Sequence, residues 1–107
     1  MDQGINRKIE DYIAAVAKKL PGLVSAYLFG SYSTGNDRTE SDIDIALILN
    51  HLPDQERFNI QVQLMMLASQ FDTRIEPHPI SSQELNSAAS SFAAEIKKSG
   101  IEYKVRA

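Results

Sequence analysis

The stretch that decides the fold runs from Phe29 to Leu49: Phe29-Gly30-Ser31-Tyr32-Ser33-Thr34-Gly35-Asn36-Asp37-Arg38-Thr39-Glu40-Ser41-Asp42-Ile43-Asp44-Ile45-Ala46-Leu47-Ile48-Leu49. A short apolar run, Leu23 to Phe29, ends at a glycine-serine pair. A polar stretch follows, and Asp42-Ile43-Asp44 then opens a second apolar run. Both runs read as strands, because they are rich in β-branched and large apolar residues and are bounded by turn formers. Side chains alternate along a strand. Ile43, Ile45, Leu47 and Leu49 therefore share one wholly apolar face. Asp42, Asp44, Ala46 and Ile48 share the other, which starts with two carboxylates and turns apolar further along. One end of that second face should meet solvent or a ligand.

Phosphoryl and nucleotidyl transfer need placed phosphates, neutralised charge and an aligned acceptor more than covalent help. Gly30 lets main chain approach a ligand closely. Ser31 offers a hydroxyl and an amide, and Ser31 to Gly35 reads as one helical turn whose free amides form an anion site. Arg38 is a second candidate for phosphate, against the alternative of a solvated loop arginine. Asp42 and Asp44 project from one face and can share a cation that accepts oxygen ligands, such as Mg²⁺. Ser31 and Asp42 can face one ligand only if the end of the first strand lies beside the start of the second. The two strands should then be antiparallel neighbours in a mixed sheet. A two-metal arrangement asks for a third acid. Glu76 is the choice, on a third strand spanning Thr73 to His78, with Asp72 as runner-up. Arg74, Glu76 and His78 share one face of that strand. Pro77 and Pro79 argue against a central, fully paired strand beyond Glu76.

Working outward, Ile5, Ile9, Tyr12, Ile13, Val16 and Leu20 recur at helical spacing. They predict a helix over 6–20 with Asn6 as its cap, stopped by Pro21-Gly22. Phe58, Ile60, Val62, Leu64, Met65, Leu67, Ala68 and Phe71 predict a long helix over 55–70 with a broad apolar face. Ser82 to Leu85 resembles a helix start, and 88–98 reads as a helix ended by Gly100. Ile101 to Val105 reads as a short final strand or an ordered tail. His51 and His78 have no partner at ligand spacing and read as surface or turn residues. Met65-Met66 reads as core or interface. Tyr32 is the only candidate for stacking on a base.

At 107 residues, with 43% hydrophobic residues, the chain suits one domain spanning 1–107, of α+β class, with a small mixed sheet flanked by helices. It contains no cysteine, which excludes disulfides, thiolate zinc sites and a cysteine nucleophile, and suits a cytoplasmic protein. A net charge of -3 argues against direct nucleic-acid binding. No apolar run reaches the roughly 20 residues that cross a bilayer, and the first residues lack signal-peptide character.

Gly30-Ser31, ten intervening residues and Asp42-Ile43-Asp44 resemble the G-S-x10-D-x-D signature of polymerase-beta-like nucleotidyltransferases, and most closely the minimal nucleotidyltransferase (MNT) proteins. The likeness extends over the leading helix, the signature, the long helix, Arg74 to Pro79 and the end from Phe92 to Ile101. It implies Mg²⁺ and ATP, with Asp42 and Asp44 matching the metal pair and Glu76 the third carboxylate. Two departures stand out. Many relatives carry arginine soon after the Gly-Ser, where this chain has Tyr32 and Ser33, which implies a weaker phosphate grip. The third carboxylate is often Asp rather than Glu. MNT proteins frequently pair with a helical HEPN protein, and in such toxin–antitoxin pairs the MNT member transfers AMP to a toxin tyrosine. The resemblance thus implies a protein adenylyltransferase acting as antitoxin. A small-molecule nucleotidyltransferase of aminoglycoside type and a non-catalytic binding subunit are the alternatives, with homodimer and hetero-oligomer both open.

Overall fold

The computed structural model describes residues 3–30, 32 and 42–105. In chain order these form helix α1 (Gln3–Lys19), strand β1 (Leu23–Phe29), strand β2 (Ile43–Leu49), a 3-10 turn (Asp54–Glu56), α2 (Arg57–Ala68), β3 (Ile75–Ser81), the one-turn α3 (Ser82–Leu85), α4 (Ser91–Ser99) and β4 (Ile101–Lys104). The four strands make one mixed sheet in the order β3-β2-β1-β4. β1 runs antiparallel to both β2 and β4, while β2 and β3 are parallel. The expected antiparallel pairing of the first two strands is therefore present, with Phe29 opposite Asp44.

Strand alternation sorts side chains between two apolar layers. Ala26 and Leu28 of β1 join Ile43, Ile45, Leu47 and Leu49 of β2 under Ile9, Tyr12, Ile13 and Val16 of α1 and Leu64 and Ala68 of α2. On the opposite face Phe29, Ala46, Ile48 and Ile80 pack against Leu85 of α3 and Ala93 and Ile96 of α4. The Tyr12 hydroxyl ties α1 to α2 by donating to the Leu64 carbonyl at 2.9 Å, and burial pushes that phenol above its usual range.

The caps explain where the shorter helices begin. Ser81 accepts from the Glu84 amide at 3.0 Å, and the Glu84 carboxylate reaches back to the Ser81 amide at 3.4 Å, a reciprocal capping box. Ser90 caps α4 by accepting from the Ala93 amide at 3.0 Å. That cap starts α4 at Ser91, three residues later than the apolar spacing alone indicates. α1 begins at Gln3, so Asn6 is not its cap. The Asn6 amide instead donates to Glu10 at 3.3 Å, and its carbonyl accepts from the Tyr103 hydroxyl, tying α1 to β4.

Two further expectations are corrected. The third strand begins at Ile75 and continues to Ser81, with Pro77 opposite Ile45 and Pro79 opposite Leu47. Edge position makes this tolerable: a proline costs no ladder bond where its nitrogen faces away from the neighbouring strand. The Pro77 carbonyl indeed points off the sheet, accepting from Gln61 Nε2 at 2.9 Å. The apolar face of α2 is also only partly core. Leu64 and Ala68 are buried, whereas Phe58, Val62, Met65 and Met66 form an exposed side. These four recur at helical spacing, so α2 is apolar on two sides and the sheet covers one.

The two sides of α2 should separate in a denaturation experiment. Leu64 is 1% exposed and Met66 67% exposed. Leu64→Ala is expected to cost about 2–5 kcal/mol, and Met66→Ala under about 0.5 kcal/mol, read from urea midpoints at unchanged slope.

Candidate active site

The site lies where β1 ends and β2 begins. Asp42 is exposed immediately before β2. Asp44 is two residues on, half-buried, and in register with Phe29 on one side and Glu76 on the other. Residues paired across parallel strands present their side chains to the same face, so Glu76, itself exposed, shares the face of Asp44. Further along that face Ala46 and Ile48 are buried beneath α3 and α4. The carboxylate end is thus the open end, as the alternation of β2 predicts.

Two neighbours set the orientation of Asp44. His78 Nε2 lies 3.1 Å from Asp44 Oδ1. A carboxylate only accepts, so this nitrogen carries the proton and donates. The imidazole ring is held edge-on to Phe29, with centroids 5.1 Å apart, and leans on Phe92 at 5.9 Å. The other carboxylate oxygen, Oδ2, faces Gly30, where a Cβ would stand only 2.6 Å away. Gly30 also adopts φ +76°, the left-handed region that glycine enters without a steric penalty. Both its backbone conformation and its missing side chain are therefore required here.

Sequence reading assigned His78 to a surface or turn. The signal for its true place was the alternation that puts Glu76 and His78 on one face. What was missing was the parallel register, Ala46 opposite His78, which brings a residue 34 positions away onto Asp44.

Asp72, the runner-up acid, is engaged elsewhere. Its carboxylate is 6% exposed and bonds Arg74 through Nε at 2.9 Å and Nη2 at 2.6 Å. The bonds from the Arg74 side chain hold it well below the usual carboxylate range, with smaller help from the Arg74 amide and Lys8. Tyr32 is 4% exposed and packed in the α1-side core, so it is not open for stacking on a base. Ser31 and Arg38 lie outside the described residues, as does most of the expected turn from Ser31 to Gly35. Among the described residues, no three His, Asp or Glu side chains are grouped closely enough to hold one metal ion. The donor chemistry of Asp42, Asp44 and Glu76 is nonetheless all oxygen, which suits Mg²⁺.

Residues 11–104 match the model of the polymerase beta nucleotidyltransferase family. The chain belongs to that family. No curated protein matches the sequence. Among solved structures, a toxin–antitoxin crystallised with AMP-PNP is similar over 91% of this chain and 73% of its own, at 28% identity and a TM-score of 0.63. A variant of the MntA–HpeT toxin–antitoxin carrying two Asp-to-Glu substitutions is 25% identical over 91% of this chain and 73% of its own, with a TM-score of 0.62. A protein of Sulfolobus solfataricus described as a nucleotidyltransferase by assignment is 20% identical over 99% and 90% of the two chains, with a TM-score of 0.65. At that identity it speaks for the fold alone. The minimal nucleotidyltransferase fold anticipated from the signature is therefore present.

Gly30→Ala should cost about 1–2 kcal/mol from backbone strain and should also displace the Asp44 carboxylate. Urea unfolding gives the first effect; a changed His78 ring signal in NMR gives the second. A separate expectation concerns acid. Asp72 has a depressed folded-state pKa, so the unfolded chain takes up its proton first as pH falls. Its contribution is fully present above about pH 4, near the ordinary value of 3.8, and is lost progressively below. Asp72→Asn should thus be less stable than wild type at pH 7, with the gap shrinking as the pH drops below 4.

Proposed function

We propose that this family member is a Mg²⁺-dependent nucleotidyltransferase that moves AMP from ATP to a hydroxyl of a partner protein, in the role of an antitoxin. The observation that carries this reading is the Asp42–Asp44 pair at the open end of β2, with Asp44 set directly against Gly30 at φ +76°. A close-approach glycine and paired carboxylates are what triphosphate placement and charge neutralisation call for. In this reading Gly30, Ser31 and Arg38 face the phosphates, while Asp42, Asp44 and Glu76 hold the cation. Bound Mg²⁺ would neutralise charge on the triphosphate and on the departing pyrophosphate.

The chain's own residues have separate tasks. His78 fixes the carboxylate plane of Asp44 by occupying Oδ1, which leaves Oδ2 on the Gly30 side. A partner behind a ligating carboxylate sets its orientation and basicity. Glu76 accepts the proton of the acceptor hydroxyl, whose oxygen bonds to the α-phosphorus. The α–β bridging bond breaks and pyrophosphate leaves.

Two observations favour a protein acceptor. Two of the similar solved structures are toxin–antitoxin proteins, one of them crystallised with AMP-PNP. The exposed Phe58, Val62, Met65 and Met66 also give α2 the kind of apolar surface that a protein partner covers. The partner expected is a helical toxin of HEPN type, with a tyrosine as acceptor.

Incubation with labelled ATP and Mg²⁺, with and without a helical HEPN-type toxin as candidate acceptor, read by intact mass, tests the reading. Addition of AMP to the toxin, abolished by Asp42→Asn with Asp44→Asn at unchanged fold, is the expected result. Turnover that survives the double substitution would falsify the mechanism. Tight complex formation without AMP transfer would replace it with a binding antitoxin. Glu76→Gln should cut the rate at least about 100-fold with a smaller loss of ATP binding; equal losses would assign Glu76 to structure.

A further inference from the structure

We propose that Asp72 and Arg74 are positioning residues for this site: through Tyr32 they hold Gly30 in place against the start of β2. The inference rests on the nucleotidyl-transfer reading for its functional consequence, though its mechanical part can be tested separately.

Arg74 contacts both halves of the signature. Its carbonyl accepts from the amide of Ile43 at 2.8 Å, and Ile43 is the residue between the two aspartates. Its side chain donates from Nη1 to the Tyr32 hydroxyl at 3.3 Å, and Tyr32 directly follows Ser31. One residue therefore links the glycine turn to the acidic pair, by main chain on one side and guanidinium on the other.

The guanidinium is itself held from behind. Asp72 Oδ1 accepts from Arg74 Nε at 2.9 Å and from the Arg74 amide at 2.9 Å, while Oδ2 accepts from Nη2 at 2.6 Å. Lys8 Nζ of α1 stands 3.5 Å from Oδ2. Two parallel bonds from a planar fork fix orientation as well as distance. The tyrosine is equally constrained, since its ring sits in the same apolar cluster as Ile43 and Ile75.

Stability alone is a poor account of this network. Asp72 does add stability at neutral pH, but a pair that only stabilised would not need a guanidinium aimed at the Tyr32 hydroxyl. Two rigid halves joined by a directional fork are what phosphate placement requires, because a misplacement of about 1 Å can cost on the order of 100-fold in rate.

Tyr32→Phe keeps the ring and removes only the hydroxyl. Arg74→Lys keeps the charge and loses the fork. Both variants, with Asp42→Asn as a control, are to be compared with wild type by hydrogen exchange over residues 29–32 and by steady-state kinetics in ATP. The expected result is faster exchange in that segment, with KM for ATP raised about tenfold and kcat less affected. Asp42→Asn should leave the exchange unchanged. Unchanged exchange in both Tyr32→Phe and Arg74→Lys overturns the inference, whatever the kinetics. Quicker exchange in a protein that neither binds nor transfers nucleotide upholds the mechanical link and overturns the nucleotidyl-transfer reading instead.

Discussion

The pairing of β1 with β2 is the constraint on which the site depends. Phe29 lies opposite Asp44, so the glycine that ends β1 arrives beside the second carboxylate of β2. Register in a sheet is unforgiving, because a slip of one residue turns every side chain to the other face. Here such a slip would bury Asp42 and Asp44 under α1 and α2 and expose Ile43 and Ile45. The apolar face of β2 thus enforces the geometry of the polar end. The core and the site are specified by the same hydrogen-bond ladder.

The second sheet face shows how one strand can serve both purposes. α3 and α4 cover Ala46, Ile48 and Ile80 but leave the Asp44 end open. Phe29 and Phe92 mark the boundary, with His78 against both rings. The imidazole is therefore anchored on its apolar side and bonded to Asp44 on its polar side. Its position follows from packing, and the orientation of the carboxylate follows from its position.

Much of this was legible in the residues. β1 and β2 have the expected bounds because each is an apolar run with clear punctuation at both ends. The mixed sheet followed from requiring Ser31 and Asp42 to face one ligand. What could not be read were facts of long-range pairing. Pro77 and Pro79 argued rightly against a central strand, but nothing local reveals that pairing to β2 on one side carries β3 past them to Ser81. Asn6 looked like a cap because Tyr103, its true partner, is 97 residues away. α2 showed a broad apolar face, and Met65-Met66 read as core or interface, because a hydrophobic pattern does not say how many sides of a helix will be covered. Tyr32, beside the signature, invited a ligand role; its burial became visible only with the α1-side layer assembled.

The two prolines of β3 have a consequence for the sheet's outer border. A free strand edge offers unpaired amides to any passing extended chain and so invites sheet growth. Pro77 and Pro79 fall on alternate residues of the outermost strand, with their ring nitrogens on the side away from β2. Two successive outward positions therefore have no proton to donate. An incoming strand would find no donor at either proline and the Pro77 carbonyl already bonded to Gln61 Nε2, so it could not form a regular ladder. The prolines that hid the full length of β3 in the sequence also close that margin against self-association, while leaving the inner margin free to hold Glu76 and His78 in step with β2.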